Sequence, residues 1–362
     1  MKLFLIVALF LLNPAVHYLI FAEEELTDFE IKSLTLDENF YRDSLKIEEI
    51  FNQLSSIIRY QTNQQYEIEN VINEFFDSDM TNEELWVLLD EIYANTRGIV
   101  EGADNLVSTV SFTTSSDLEY AKPLHYTSVE ILYEMRSHIA KNNKLTTDLI
   151  DTLSEGDLDS YNKLNGRTRV INSEFLEIMV KHFLTTAKKI PSTYIQKQMI
   201  LLEAESLSFN LIVQKINGLV ISGDLTKKMF IDYERSLKIK YKDFKNSRSY
   251  KNLKDTIINL ERAVDSAAVD ETSIYAVEQY IINAELYADS LKRETELNNE
   301  LYLFYKKHID DLDALNTDPK TVASLDSLLS RQNFQNEETV KYATKYQEAA
   351  LAVLKVLPDL IK

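Results

Sequence analysis

Helix breakers are nearly absent: six glycines and five prolines are spread over 362 residues, far below ordinary usage. Between them apolar residues recur at spacings of three and four, the period of one helix face, and strand-like alternation is nearly missing. One stripe runs through Ile47, Ile50, Phe51, Leu54, Ile57 and Ile58 into Ile68, Val71, Ile72 and Phe75. A second links Leu85, Trp86, Leu88, Leu89, Ile92, Ile99 and Val100. Later ones join Ile131, Leu132, Met135 and Ile139, then Phe175, Leu176, Met179, Val180, Phe183 and Leu184. Such a chain folds as an all-α, elongated multi-helix bundle.

Four breaks share a form: Ser78-Asp79-Met80-Thr81, Gly156-Asp157-Leu158-Asp159, Gly223-Asp224-Leu225-Thr226 and Thr317-Asp318-Pro319-Lys320. Glycine tolerates the left-handed end of a helix, Asp or Thr caps the next, Thr81 with Glu84 forms a capping box, and Pro319 suits a first helical position. Read as a degenerate repeat, they give four helical hairpins in series, two over 45–190 and two over 191–362. Read locally, any helical chain reuses the same capping chemistry, and no duplication is needed. Thr272 to Leu315 meets no Gly or Pro and reads as one long helix.

Residues 1–22 read as a secretory signal: Lys2, the apolar run Leu3 to Leu12, then a second apolar stretch ending at Ala22, where cleavage is expected before Glu23-Glu24-Glu25. The alternative is an uncleaved membrane anchor, since Leu3 to Ala22 is almost long enough to span a bilayer. Pro14 and His17 weaken that alternative. An acidic arm follows over 23–44. No later segment is apolar enough to cross a membrane, so the exported chain is expected to be soluble. It has no cysteine, so its stability must come from packing rather than disulfides. No Asn-x-Ser/Thr acceptor occurs, so N-linked glycosylation is not expected.

The catalogue of catalytic patterns gives little. His125, His138, His182 and His308 stand too far apart for a helical ligand pair, so no metal or cofactor is expected and each reads as a surface or half-buried residue. Asp77-Ser78-Asp79 and Asp157-Leu158-Asp159 begin like calcium loops, but lack the later glycine and glutamate, and capping explains them. No nucleophile elbow, phosphate loop or dinucleotide fingerprint is present. Gly98 and Gly102 stand four apart and suit a close helix approach, without functional meaning.

The net charge is −19, which argues against nucleic acid as the main partner. Against that background, Lys227 to Lys254 carries ten basic and three acidic side chains. On a helix Arg235, Lys238, Lys242 and Lys245 share a face, with Arg248 close to continuing it, and Tyr233, Tyr241, Phe244 and Tyr250 interleave. This face suits an acidic protein, another anionic macromolecule or an anionic surface. It suits equally an internal role, neutralising nearby acidic helices or the acidic arm, and the aromatics then belong to the core. The twenty tyrosines are read as mostly structural, with some half-buried between helices.

The expected function is thus that of a secreted, non-enzymatic binding protein that contacts a macromolecular partner through a helical surface. A carrier of a lipid or other small hydrophobic ligand in a bundle cavity is the alternative. A hydrolase using dispersed carboxylates is the least favoured reading.

Overall fold

A computed structural model describes residues 38–110, 122–188, 195–266, 271–312, 315 and 318–360. The leader expected at residues 1–22 and most of the acidic arm lie outside the described residues, as do the segments around Thr113 and Pro191. Ten helices and no strand occur among the described residues. They are α1 (Glu38–Asp77), α2 (Asn82–Asn95), α3 (Ile99–Ser108), α4 (Lys122–Ser154) and α5 (Leu158–Ala187). Then come α6 (Ile195–Ile221), α7 (Lys227–Lys245), α8 (Arg248–Ser266), α9 (Glu271–Lys307) and α10 (Pro319–Leu360). The fold is all-α, and residues 38–44 of the arm form the first turns of α1.

Local chemistry fixes the helix ends. Thr81 and Glu84 make a reciprocal capping box at α2, Asp157 accepts from the Ser160 amide at α5 (3.0 Å), and Thr226 accepts from Met229 at α7 (3.2 Å). Asp318 accepts from the Thr321 amide (2.9 Å), with Pro319 first in α10. Gly156 and Gly223 hold φ of 73° and 70° just beyond α4 and α6, a conformation L side chains rarely adopt. The long helix expected through Leu315 instead ends at Lys307, and the chain turns at His308. Lys306 and Lys307 suit a last turn, whereas continuing would bring Asp310 and Asp311 against the negative helix end.

The long helices form two similar sets. In the first, cross-links such as Gln61 to the Ile139 carbonyl and Gln65 to Thr146 show that α4 runs parallel to α1. The ion pairs Lys141–Glu174 and Lys181–Glu134 show that α5 runs antiparallel to α4. In the second, Ser206–Thr295 and Asn217–Tyr305 set α9 parallel to α6, and Ser290–Thr339 and Tyr280–Tyr346 set α10 antiparallel to α9. The short pairs α2–α3 and α7–α8 carry the chain back in each set, packing on α1 and α4 or on α6. Helices α5 and α6 join the sets.

Each set has an apolar cluster at either end. Leu54, Ile131, Met135 and Phe183 belong to one in the first set, and Ile68, Leu89, Leu149 and Tyr161 to the other. Leu253, Tyr287, Leu291 and Tyr346 correspond in the second set, with Phe209, Val213, Phe230 and Tyr305 at its far end. Between them lie buried carboxamides. Asn172 donates to Gln65 (2.9 Å) and Asn142 to Asn172 (3.0 Å), tying α1, α4 and α5. Asn298 donates to Asn210 (3.0 Å) and Gln332 to Asn298, tying α6, α9 and α10. Misregistration would strand these amides without partners, at roughly 1–3 kcal/mol each, so they hold the helices in register.

The tightest crossing joins α5 to α6. A Cβ added at Gly166 would lie 2.6 Å from the Ser222 Cα, and one at Gly218 would lie 2.8 Å from a Val170 methyl. Gly218 and Ser222 therefore form a small-residue notch four residues long. Gly98 and Gly102 do not: Gly98 caps α3 with φ 77°, and the space at both is open.

Candidate binding sites

Helix α7 buries Phe230, Leu237 and Phe244, seven residues apart, on one line. The opposite line must then face solvent, and it carries Lys228, Arg235, Ile239 and Lys242. Ile231 and Ile239 are half-exposed there. The five expected contact residues do not behave alike. Lys238 pairs with Glu234 (2.9 Å), which also meets Lys306 (2.6 Å) and the Tyr302 hydroxyl (3.0 Å). Lys306, then Lys238, draw the Glu234 carboxyl down to about 2. Lys245 lies over the Tyr241 ring, 5.9 Å from its centre.

Arg235, Lys242, Lys245 and Arg248 form no ion pair among the described residues. Arg248 does not continue the helical face: α7 is capped at Asn246, Ser247 accepts from the Tyr250 amide (3.0 Å), and Arg248 opens α8. The interleaved aromatics turn inward. Phe244 is buried, and Tyr233, Tyr241 and Tyr250 pack against the cores as half-buried residues. At the ends of the basic stretch Lys227 meets Asp310 and Lys254 meets Glu285 (3.0 Å), so neutralisation is partial.

A cleft of about 180 Å³ opens where α1, α5, α6, α9 and α10 converge. Glu69 and Arg169 span it as a bidentate pair (2.9 and 2.8 Å), with Tyr66 at the rim and Asn165, Gln214, Asn217, Asn333 and Asn336 around it. A wider groove of about 390 Å³ runs between α4 and α5. Its charges are already matched by Lys141–Glu174, Lys181–Glu134 and Lys215–Glu177, and His138 forms part of its wall.

His138 and His182 are each only 2% exposed, which overturns for these two the expectation of surface or half-buried histidines, while His308 is half-buried as expected. His138 meets the Asn142 amide (3.2 Å) and stacks near Phe175. Burial, and secondarily Lys141, pushes its pKa down to about 4. His182 stacks on Phe51 with ring centres 3.7 Å apart and faces Glu48 at 3.4 Å. An isolated histidine without a helical ligand partner carries no sequence signal for this, because the rings that cover the two lie on other helices, Phe175 on α5 and Phe51 on α1.

The second set holds an acidic pair invisible in the sequence. Glu203 on α6 is buried beside Tyr287, and Glu294 on α9 accepts from Asn210 (2.8 Å). Burial pushes the Glu203 carboxyl up to about 8, with Glu294 adding to the rise, and burial raises Glu294 to about 7. The Tyr287 and Tyr346 hydroxyls are held well above their ordinary range, mainly by burial. No group of three or more potential metal ligands occurs among the described residues. No described helix is long and apolar enough to cross a membrane. No protein-family model, curated protein or solved structure matches the chain.

Proposed function

We propose that the protein is an exported, non-enzymatic binding protein that docks an acidic protein partner on the outer line of α7. The observation that carries this reading is the pairing of uncompensated charge with exposed apolar surface. Arg235, Lys242, Lys245 and Arg248 have no ion-pair partner among the described residues, while Ile231 and Ile239 stand half-exposed among them. Charge brings an acidic partner to the face, and the isoleucines supply apolar area to hold it there. The leader at residues 1–22 supports export, with an uncleaved anchor as the alternative placement. The carrier reading has less support, because the two cavities described above are lined mainly by polar and charged side chains.

The test places a photo-crosslinking residue at Ile239 and exposes the protein to the fluid into which its source secretes it. One predominant acidic product is expected, falling as salt rises. It should disappear when Arg235, Lys242, Lys245 and Arg248 are all changed to Gln, with the thermal midpoint unchanged. An equal yield from the Gln variant would remove α7 as the docking face.

A further inference from the structure

We propose that the cleft between α1, α5, α6, α9 and α10 is a binding site for a neutral polyhydroxylated ring, the size of one sugar unit. Its volume of about 180 Å³ corresponds to roughly six waters at their share of liquid volume, which a single six-membered sugar ring displaces.

The lining sets the chemistry. Asn165, Gln214, Asn333 and Asn336 each carry a carbonyl acceptor and an amide donor, and Asn217, whose Oδ1 already accepts from the Tyr305 hydroxyl, adds an amide donor, matching hydroxyls that both donate and accept. The carboxylate and guanidinium present, Glu69 and Arg169, already neutralise each other, leaving no excess charge for an anion or a cation. Val213, Leu301 and Leu329 supply apolar atoms to the lining, as the C–H face of a sugar requires. A lipid would leave the amides unsatisfied, and a phosphate would have to compete with Glu69 for Arg169.

Two polar groups of lining residues have no hydrogen-bond partner within the fold. Asn336 Oδ1 and Arg169 Nε are both buried without a hydrogen-bond partner, one an acceptor and one a donor. Such groups are costly to leave unpaired. The cleft is also pre-organised: Gln65 and Asn172 on one side, and Gln332 on the other, are fixed by the two carboxamide clusters. A ligand entering it need not order these side chains first.

The test uses the full exported chain with D-glucose, D-galactose, D-mannose and N-acetyl-D-glucosamine, read by saturation-transfer NMR and native mass spectrometry. Sodium phosphate and laurate serve as probes of the competing classes. At least one sugar is expected to bind. The double variant Gln214→Ala/Asn336→Ala should weaken it at least about tenfold, the effect of one or two lost hydrogen bonds, without lowering the thermal midpoint. Tyr66→Ala gives a second, independent probe of the same rim and should also weaken binding. Changing Arg235 and Lys242 to Gln should leave sugar binding intact, which separates this site from the α7 face. The proposal is overturned if no sugar binds, if binding survives the double variant, or if phosphate or laurate binds in place of the sugars.

Discussion

Gly166 and Ser222 meet where α5 crosses α6, so closely that a Cβ on Gly166 would lie 2.6 Å from the Ser222 Cα. The contact is backbone against backbone, so neither side can yield by rotating a side chain. This crossing joins the two helical sets, and everything between them, the sugar-sized cleft included, depends on its geometry.

Gly166→Ala is therefore expected to destabilise the fold by about 2–3 kcal/mol, at the upper end of overpacking effects. Gly102→Ala provides the opposite sign. Gly102 lies inside α3 with nothing within 4 Å of its would-be Cβ, so alanine should stabilise by about 0.5–1 kcal/mol through helix propensity. Urea denaturation of the two variants should move the midpoint in opposite directions. A neutral Gly166→Ala would mean that the helices cross less closely than described.

Buried Glu203 and half-buried Glu294 make the fold sensitive to rising pH. Unfolded, Glu203 and Glu294 titrate near 4.3; folded, they hold their protons to about 8 and about 7. Their stabilising contribution is complete below the unfolded value and is lost as pH rises through the folded values. Each proton contributes a slope of at most about 1.4 kcal/mol per pH unit within that window. Glu203→Gln keeps the shape and removes one titration, so the decline in stability between pH 5 and 8.5 should become shallower. An unchanged decline would place the titration elsewhere.

His138 acts from the other side. Its unfolded value is about 6.5, and burial lowers the folded one to about 4. Below pH 6.5 the unfolded chain takes up a proton that the folded protein refuses, so stability is complete above that value and falls as pH drops toward 4. Chemical denaturation from pH 4 to 7 should show a flatter acid limb in His138→Gln. The same acid limb in parent and variant would show that His138 does not control it.

Much of the helical content was legible because capping is local. Thr81 with Glu84, Asp157 with Ser160, and Asp318 with Thr321 are all settled by groups three residues apart, and the apolar stripes identify each inward face. The basic stretch was legible as composition but not as a surface. A break at Asn246–Ser247 moved Arg248 to another helix, and Glu234 claimed Lys238.

The sequence by itself determined that the chain is helical, where several helices start, and that no disulfide supports them. Tertiary structure alone decided that Gly166 rather than Gly98 or Gly102 makes the close crossing, that Gln65, Asn142 and Asn172 converge, that Glu203 loses its solvent, and that eight side-chain amides line one cleft. The physical reason is range. A cap or an amphipathic face is fixed by neighbours within a turn or two, whereas the Gly166–Ser222 and Gln65–Asn172 contacts depend on which faces of distant helices pack together, and that is set by the summed packing of whole helices.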